Sequence, residues 1–328
     1  MVRFGFSGCG GFAERAVLPL LERVENAKAV AACDKRNIDA VCNKFGLTTF
    51  DSLEEMLNSA DIQAVYVCSP NLFHKDQIIT AAKAGKHVMC EKPMGLNAEE
   101  CRQAIEVCKA CNIKLGVDFC YPLAGAQQKA KQLVQEGAIG EVSHIHISFS
   151  LGSYNKETVG WRCDPKISGG GPLMDVAPHM VHLASFFLED TAESVMAYVR
   201  PPLTDTDIEL DVVAIIEFSR GGRATIDTSF VRGNTHSYSV VGQRGEIRAF
   251  NTMCWGAGGE LTLVCGVEEQ NVPFDPVEGI EEHFRRFARA IERDKSPPIP
   301  GKAGLQVQAV IDAIYESGRS ASRCDVAR

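Results

Sequence analysis

The turn Gly8-Cys9-Gly10-Gly11-Phe12-Ala13 and the carboxylate of Asp34 are the first residues whose types and spacing imply chemistry. A short apolar strand (residues 2–7) leads into the turn, an amphipathic run follows it, and a second strand (residues 28–33) ends at Asp34. A dinucleotide site requires that order. Gly8 permits the tight exit from the strand. Gly10, with no Cβ, lets the backbone approach a pyrophosphate, and Ala13 lets the helix pack closely on the strand. The amide-rich helix N-terminus favours the phosphates. Asp34 is placed to accept hydrogen bonds from an adenosine ribose and would repel a 2′-phosphate there, with Lys35 and Arg36 partly compensating. NAD is therefore the expected cofactor, with NADP tolerated.

A second group of residues could move a proton. Hydride exchange between nicotinamide and a secondary alcohol needs no metal, but it needs a group that takes or returns the hydroxyl proton. Lys92 lies just past a predicted strand (residues 87–90), at the end where ligands collect in parallel sheets. A cationic nicotinamide beside it would favour the neutral amine. His179 follows Asp175 by four residues, so a helix over 173–188 would place both on one face. Asp175 could then orient the imidazole or hold a second substrate hydroxyl. Taken singly, a solvated lysine and an i,i+4 surface pair are the plain alternatives. No His/Cys/Asp/Glu cluster has metal-ligand spacing, so no metal is expected. Cys108 and Cys111 form a C-x-x-C late in a predicted helix without a partner pair, and read as core thiols.

These residues need two kinds of scaffold. Up to about residue 120 the chain alternates strand and helix, which implies a doubly wound parallel sheet. Within 12–24 the apolar residues share one helical face, and Pro19 should distort or shorten that helix. Ser52 with Glu55 and Asn97 with Glu100 have the spacing of helix starts. Beyond residue 120, after one helix (125–136), β-rich runs at 142–150, 192–199, 211–218, 223–230, 237–241 and 246–250 predict a large, mostly antiparallel open sheet. Helical runs at 280–292 and 303–316 close the chain. The expected division is a Rossmann domain over 1–119 and an α+β substrate and oligomerisation domain over 120–328, with the last helix packing back on the first.

Composition sets outer bounds. The chain has 328 residues, 45% apolar and 23% charged, with a net charge of −8. A net negative charge argues against a nucleic-acid surface, and no apolar run is long enough for a membrane span. Thirteen scattered cysteines without an export signal read as reduced thiols in the cytoplasm.

The chain resembles the glucose-fructose oxidoreductase, inositol dehydrogenase and rhizopine-catabolism (Gfo/Idh/MocA) family, nearly end to end. The run Ala84-Gly85-Lys86-His87-Val88-Met89-Cys90-Glu91-Lys92-Pro93 matches its A-G-K-H-V-x-x-E-K-P signature. Gly169-Gly170-Gly171 followed by Asp175 and His179 matches its second signature. The resemblance implies a sugar, cyclitol or related polyol as substrate, and a homodimer or homotetramer formed through the open sheet. It implies that Lys92 and His179 share proton transfer and substrate binding, with Asp175 completing the catalytic set. It makes Glu91, Lys92, Ser69, Asn71 and His74 cofactor-binding residues, with Asn71 near the nicotinamide ribose, Phe12 over the pyrophosphate and Arg36 along the adenine. Trp161 and Arg162 would line the nicotinamide end, with Tyr154 on the same wall. Many members carry an arginine just after the sixth strand. Here Phe119-Cys120-Tyr121-Pro122 stands there, so Tyr121 or Asp118 is expected to face substrate instead. Two other readings stay open, a silent dinucleotide-binding sensor and an NAD-dependent glycosidase. The intact Lys92, Asp175 and His179 set argues against the first, and the D-x-x-x-H arrangement against the second.

Overall fold

The computed structural model describes residues 1–152, 160–201, 207–254 and 256–327, so Tyr154 lies outside the described residues. The chain divides into two compact units, Met1–Cys120 with Ile280–Leu305, and Tyr121–Gly279 with Gln306–Arg328. The segment returning to the first unit carries most of the helix Gly279–Glu292, and from Gln306 onward the last helix (Gly301–Ser320) belongs with the second.

The first unit is built on six parallel strands, β1 (Val2–Ser7), β2 (Ala27–Cys33), β3 (Thr48–Phe50), β4 (Ala64–Val67), β5 (His87–Cys90) and β6 (Leu115–Val117), in the order β3-β2-β1-β4-β5-β6. All four residues of β4 are buried, as in a sheet covered on both faces. The order reverses between β1 and β4, the switch point where such sheets open a crevice at the strands' carboxyl ends. Ser52 and Asn97 cap their helices, each accepting from the backbone N–H three residues on. After the glycine turn the chain makes one π-helical turn (Ala13–Val17) and then a short α-helix (Leu18–Leu21) with Pro19 at its start. Pro19 has no N–H for the carbonyl four residues back, and the widened turn accommodates its ring. Helix Gly279–Glu292 buries Phe284 and Phe287 completely. Phe284 packs edge-on to Phe4 (centroids 5.2 Å) and against Tyr66 (5.1 Å). Emptying such a site, as in Phe284→Ala, costs about 3–5 kcal/mol.

The second unit carries a nine-stranded sheet of β7 (Val142–Ser150), β8 (Ala192–Arg200), β9 (Asp211–Phe218), β10 (Arg223–Ser229), β11 (Thr235–Gly242), β12 (Glu246–Phe250), β13 (Glu260–Cys265), β14 (Glu268–Asn271) and β15 (Cys324–Asp325), in the order β14-β13-β12-β11-β7-β10-β9-β8-β15. Among the described residues of this sheet only β7 and β10 pair in parallel. Strand β9 buries Val212, Ala214, Ile216 and Phe218 and turns Val213 and Ile215 outward, the period-two pattern of a half-covered sheet. The covering helix Ala177–Leu188 buries Met180, Leu183, Ala184 and Phe187.

Candidate active site

In the first unit the glycine turn leaves β1 at Gly8, whose φ is +87°. A Cβ on Gly8 would stand 2.6 Å from the Ser69 backbone nitrogen, so only glycine fits between the ends of β1 and β4. The Cys68 thiol donates to the Gly8 carbonyl at 2.5 Å. Burial pushes Cys68 well above an ordinary thiol, and burial pushes Cys9 up to about 12, so both stay protonated and inert. Asp34 closes the turn from the end of β2: its Oδ2 accepts from the Cys9 N–H (3.0 Å) and from Arg36 Nη2 (3.0 Å), and its Oδ1 accepts from the Arg36 backbone N–H (3.0 Å). Burial alone would raise this carboxyl, but the Arg36 side chain and the two backbone N–H groups outweigh it and hold it below its ordinary value. The Arg36 guanidinium lies over Gly10, its Nη2 2.4 Å from where a Cβ would be. Ala13 is buried, Gly11, Lys35 and Arg36 are exposed, and Phe12 is half-buried. Lys35 reaches over the Phe73 ring, 5.2 Å from its centroid. A Cβ-free turn, backbone amides and an ionised carboxylate at the end of β2 fit the adenosine and pyrophosphate of a nicotinamide dinucleotide.

The ends of β4 and β5 are tied together. His74 is buried, its Nδ1 2.7 Å from the Pro93 carbonyl and its Nε2 2.8 Å from the Ser69 carbonyl. Both ring nitrogens are thereby committed to backbone, so His74 joins the segment holding Ser69 and buried Asn71 to the one holding Lys92. The Ser69 hydroxyl donates to Gln77 Oε1 at 2.8 Å. Lys92 is half-buried, and its backbone N–H donates to Glu91 Oε2 at 3.2 Å. The Glu91 carboxyl points inward against the Tyr66 hydroxyl. Asp118 is 1% exposed, and Oδ2 meets the Tyr66 hydroxyl at 2.9 Å and Oδ1 meets His283 Nδ1 at 2.7 Å. The expectation that Asp118 could face substrate is therefore corrected, because it is a core residue whose oxygens are taken by Tyr66 and His283.

In the second unit Glu209 anchors the glycine run. Its buried Oε1 accepts from the N–H groups of Gly171 and Leu173, both at 2.9 Å, and its Oε2 from the Tyr315 hydroxyl at 3.2 Å. A Cβ on Gly171 would fall 1.9 Å from the Glu209 carbonyl oxygen, and one on Gly170 would fall 1.8 Å from the Tyr315 hydroxyl. The glycine run is thus the imprint of a buried glutamate and tyrosine. Beyond it the single helix expected over 173–188 is broken: Pro172–Asp175 and Ala177–Leu188 are separate, with Val176 between them at φ −111°. Pro178 lacks the N–H that would continue the ladder, so Asp175 and His179 are not one turn apart on a continuous helix. Asp175 Oδ1 accepts from Arg162 Nε at 3.3 Å, and that guanidinium lies over the Trp161 ring at 4.5 Å. The half-buried His179 ring sits against Tyr121, centroids 4.6 Å apart. The structure so brings Arg162 to both Trp161 and Asp175, and His179 to Tyr121. Tyr66, His283, Glu209 and Tyr315 were not singled out in the sequence; only their exclusion from solvent identifies them. Among the described residues no three His, Cys, Asp or Glu side chains gather as a metal site.

Comparison with known proteins bears on this arrangement. Residues 2–119 match the family model described as "Oxidoreductase family, NAD-binding Rossmann fold", and residues 127–248 match the "GFO/IDH/MocA C-terminal domain". The chain is 30% identical over 330 positions to D-xylose 1-dehydrogenase (NADP(+)) 2 of Haloferax volcanii, covering 98% of this chain and 99% of that one. The chain belongs to the Gfo/Idh/MocA oxidoreductase family. A second relative, the 1,5-anhydro-D-fructose reductase of Ensifer adhaerens, is 27% identical over 84% of this chain and 83% of its own. Among solved structures, an aldose-aldose oxidoreductase from Caulobacter crescentus complexed with glycerol superposes with a TM-score of 0.91 at 23% identity, covering 99% of each chain. Levoglucosan dehydrogenase with NADH and levoglucosan superposes at 0.89, 23% identical over 100% of both chains. At 23% identity these two likenesses are of fold. The glycine turn and Asp34 lie within the residues matched by the NAD-binding Rossmann model.

Proposed function

We propose that this protein transfers a hydride between a nicotinamide dinucleotide and a secondary alcohol or ketone of a sugar, cyclitol or related polyol. The observation that carries the reading is Lys92, held beside the strand ends of the dinucleotide-binding unit by the His74 tie between the Ser69 and Pro93 carbonyls. Bound NAD(P) supplies the hydride acceptor or donor. Lys92 takes the hydroxyl proton during oxidation and returns it during reduction. His179, walled by Tyr121, and Asp175, fixed by Arg162, hold further hydroxyls and share the proton work. Asp34 favours NAD, because its ionised carboxylate repels a 2′-phosphate, while Arg36 moving off it accommodates NADP. The names of the relatives support a sugar-like substrate. A panel of polyols and keto-sugars followed by nicotinamide absorbance, with NAD and NADP in parallel, tests this directly. NAD-linked turnover of a polyhydroxylated substrate is expected, and binding of NAD without turnover of any panel member would favour a sensor.

The reading includes self-association. On the outer face of the nine-stranded sheet, Met196 pairs across with Ile215 and Tyr198 with Val213, all four exposed. Such an apolar strip on a sheet covered on its other side suits a two-fold contact between copies. Sedimentation at micromolar concentration should give a dimer or tetramer. No helix among the described residues is long and apolar enough to cross a membrane.

A further inference from the structure

Four ionisable side chains form a chain through the interior of the first unit, immediately behind Lys92. Tyr66 is fully buried, and its one hydroxyl faces two carboxyl groups, Glu91 Oε1 and Asp118 Oδ2. Asp118 Oδ1 continues the chain to His283 Nδ1, and His283 is itself fully buried. A phenolic hydroxyl has one proton to donate, and an ionised carboxylate can only accept. If both carboxyls were ionised, one would press its lone pairs against the tyrosine oxygen, with a second negative charge across a single atom in a buried site. One carboxyl therefore carries a proton and donates it to Tyr66.

The remaining contacts decide which. Asp118 has two good donors, His283 at 2.7 Å and Tyr66 at 2.9 Å, which stabilise it as the anion. Among the described residues His283 Nε2 meets no polar partner, which suits a neutral ring with its proton on Nδ1, aimed at Asp118. Glu91 has one further donor, the Lys92 backbone N–H at 3.2 Å. We propose that Glu91 is held as a neutral carboxylic acid donating to Tyr66, which donates to Asp118, and that Glu91 and Tyr66 are positioning residues that keep the neighbour of Lys92 uncharged. Burial first, then the Asp118 charge, push the Glu91 carboxyl up to about 8, against the pull of the Lys92 cation and the Tyr66 hydroxyl. The other titratable groups around it, the Cys68 and Cys90 thiols, are driven well up by burial and stay neutral.

The consequence concerns proton transfer, and this part rests on Lys92 being the proton-transfer group. An ionised Glu91 would stabilise the Lys92 ammonium and oppose its use as a base, whereas the neutral acid does not. The proton is located first on the protein without substrate, so the result stands apart from the lysine's role. Infrared difference spectra taken from neutral to alkaline pH should show the carbonyl band of a buried carboxylic acid, lost as pH rises. The band should be absent in Glu91→Gln. In Tyr66→Phe it should remain but move to higher frequency, because the acid has lost its acceptor. A band that persists in Glu91→Gln, does not move in Tyr66→Phe, or is missing from the wild type overturns the assignment. The positioning role is read from kcat against pH for alcohol oxidation on the best panel substrate. In Glu91→Gln the rising limb should shift to lower pH, since no carboxylate can form beside Lys92. A uniform drop in kcat with the limb in place would overturn that role. Near-normal turnover of Lys92→Ala, with the infrared band still assigned to Glu91, would sink the lysine reading and leave the stored proton standing.

Discussion

Glu91 and Glu209 are both carboxyls sealed from solvent against a tyrosine hydroxyl, one in each unit, yet their surroundings supply protons in different numbers. Glu209 receives two backbone N–H groups and the Tyr315 hydroxyl, three donors for one anion. Burial raises it above its ordinary value, and those donors hold it back, so it serves as an acceptor that fixes a backbone turn. Glu91 must share the single Tyr66 proton with Asp118, and the shortfall is met by keeping its own proton. The same residue type becomes an anchor in one unit and a proton store in the other, and counting donors tells them apart.

The largest expected effect comes from breaking the Glu209 anchor. Glu209→Ala strands two N–H groups and a hydroxyl, which at about 1 kcal/mol or more each should cost roughly 3–5 kcal/mol. Gly171→Ala should be at least as damaging, because its Cβ meets backbone, which cannot swing aside. Urea denaturation should show a lower midpoint for both.

Breaking the Glu91 side should alter pH dependence more than stability at any one pH. Its folded-state value of about 8 lies above the ordinary 4.5, so the native state binds the extra proton across that window. Stability should then fall as pH rises from about 4.5 through about 8, and Glu91→Gln should flatten that slope. Thermal melts at a series of pH values read this directly. A slope that survives the substitution would mean that other groups produce it.

A smaller effect is expected at the far end of the dinucleotide turn. Asp34→Ala removes the charge that would face a 2′-phosphate and releases Arg36, now bound to it at 3.0 Å. The ratio of NADP to NAD efficiency should rise by about tenfold or more, since removing one close charge repulsion is worth on the order of 1–2 kcal/mol. Wild-type protein that binds NADP far more tightly than NAD would contradict the role given to Asp34.

What could be read beforehand followed from local pattern. The glycine turn, Asp34 and the strand pattern of residues 211–218 are contiguous signals, and the structure has them in place. Strand β14 was illegible because its sequence, Glu-Glu-Gln-Asn, is exposed on both faces and carries no alternation. The edge strand Thr48–Phe50 is too short to show a period. Pro178 sits inside the helix expected over 173–188, and the break at Val176 departs from that expectation. The two buried networks were hidden for a different reason. Asp118 and His283 are 165 positions apart and leave no mark on their neighbours in sequence, whereas Gly171 and Glu209, 38 apart, leave the glycine run, which does not tell which residues press against it.

The central claim is that Lys92 exchanges the substrate proton in a unit that binds the dinucleotide without it. The direct measurement is Lys92→Ala assayed twice, for NAD affinity by calorimetric titration and for turnover on the best substrate of the panel. Losing a positioned acid/base group lowers rates by about 10²–10⁴. The variant should bind NAD within a few-fold of wild type and turn over at least about a hundredfold more slowly, and Lys92→Arg should restore little because guanidinium stays protonated. Near-normal turnover in Lys92→Ala would contradict the assignment and move the proton-transfer role to another residue, with His179 the first to test.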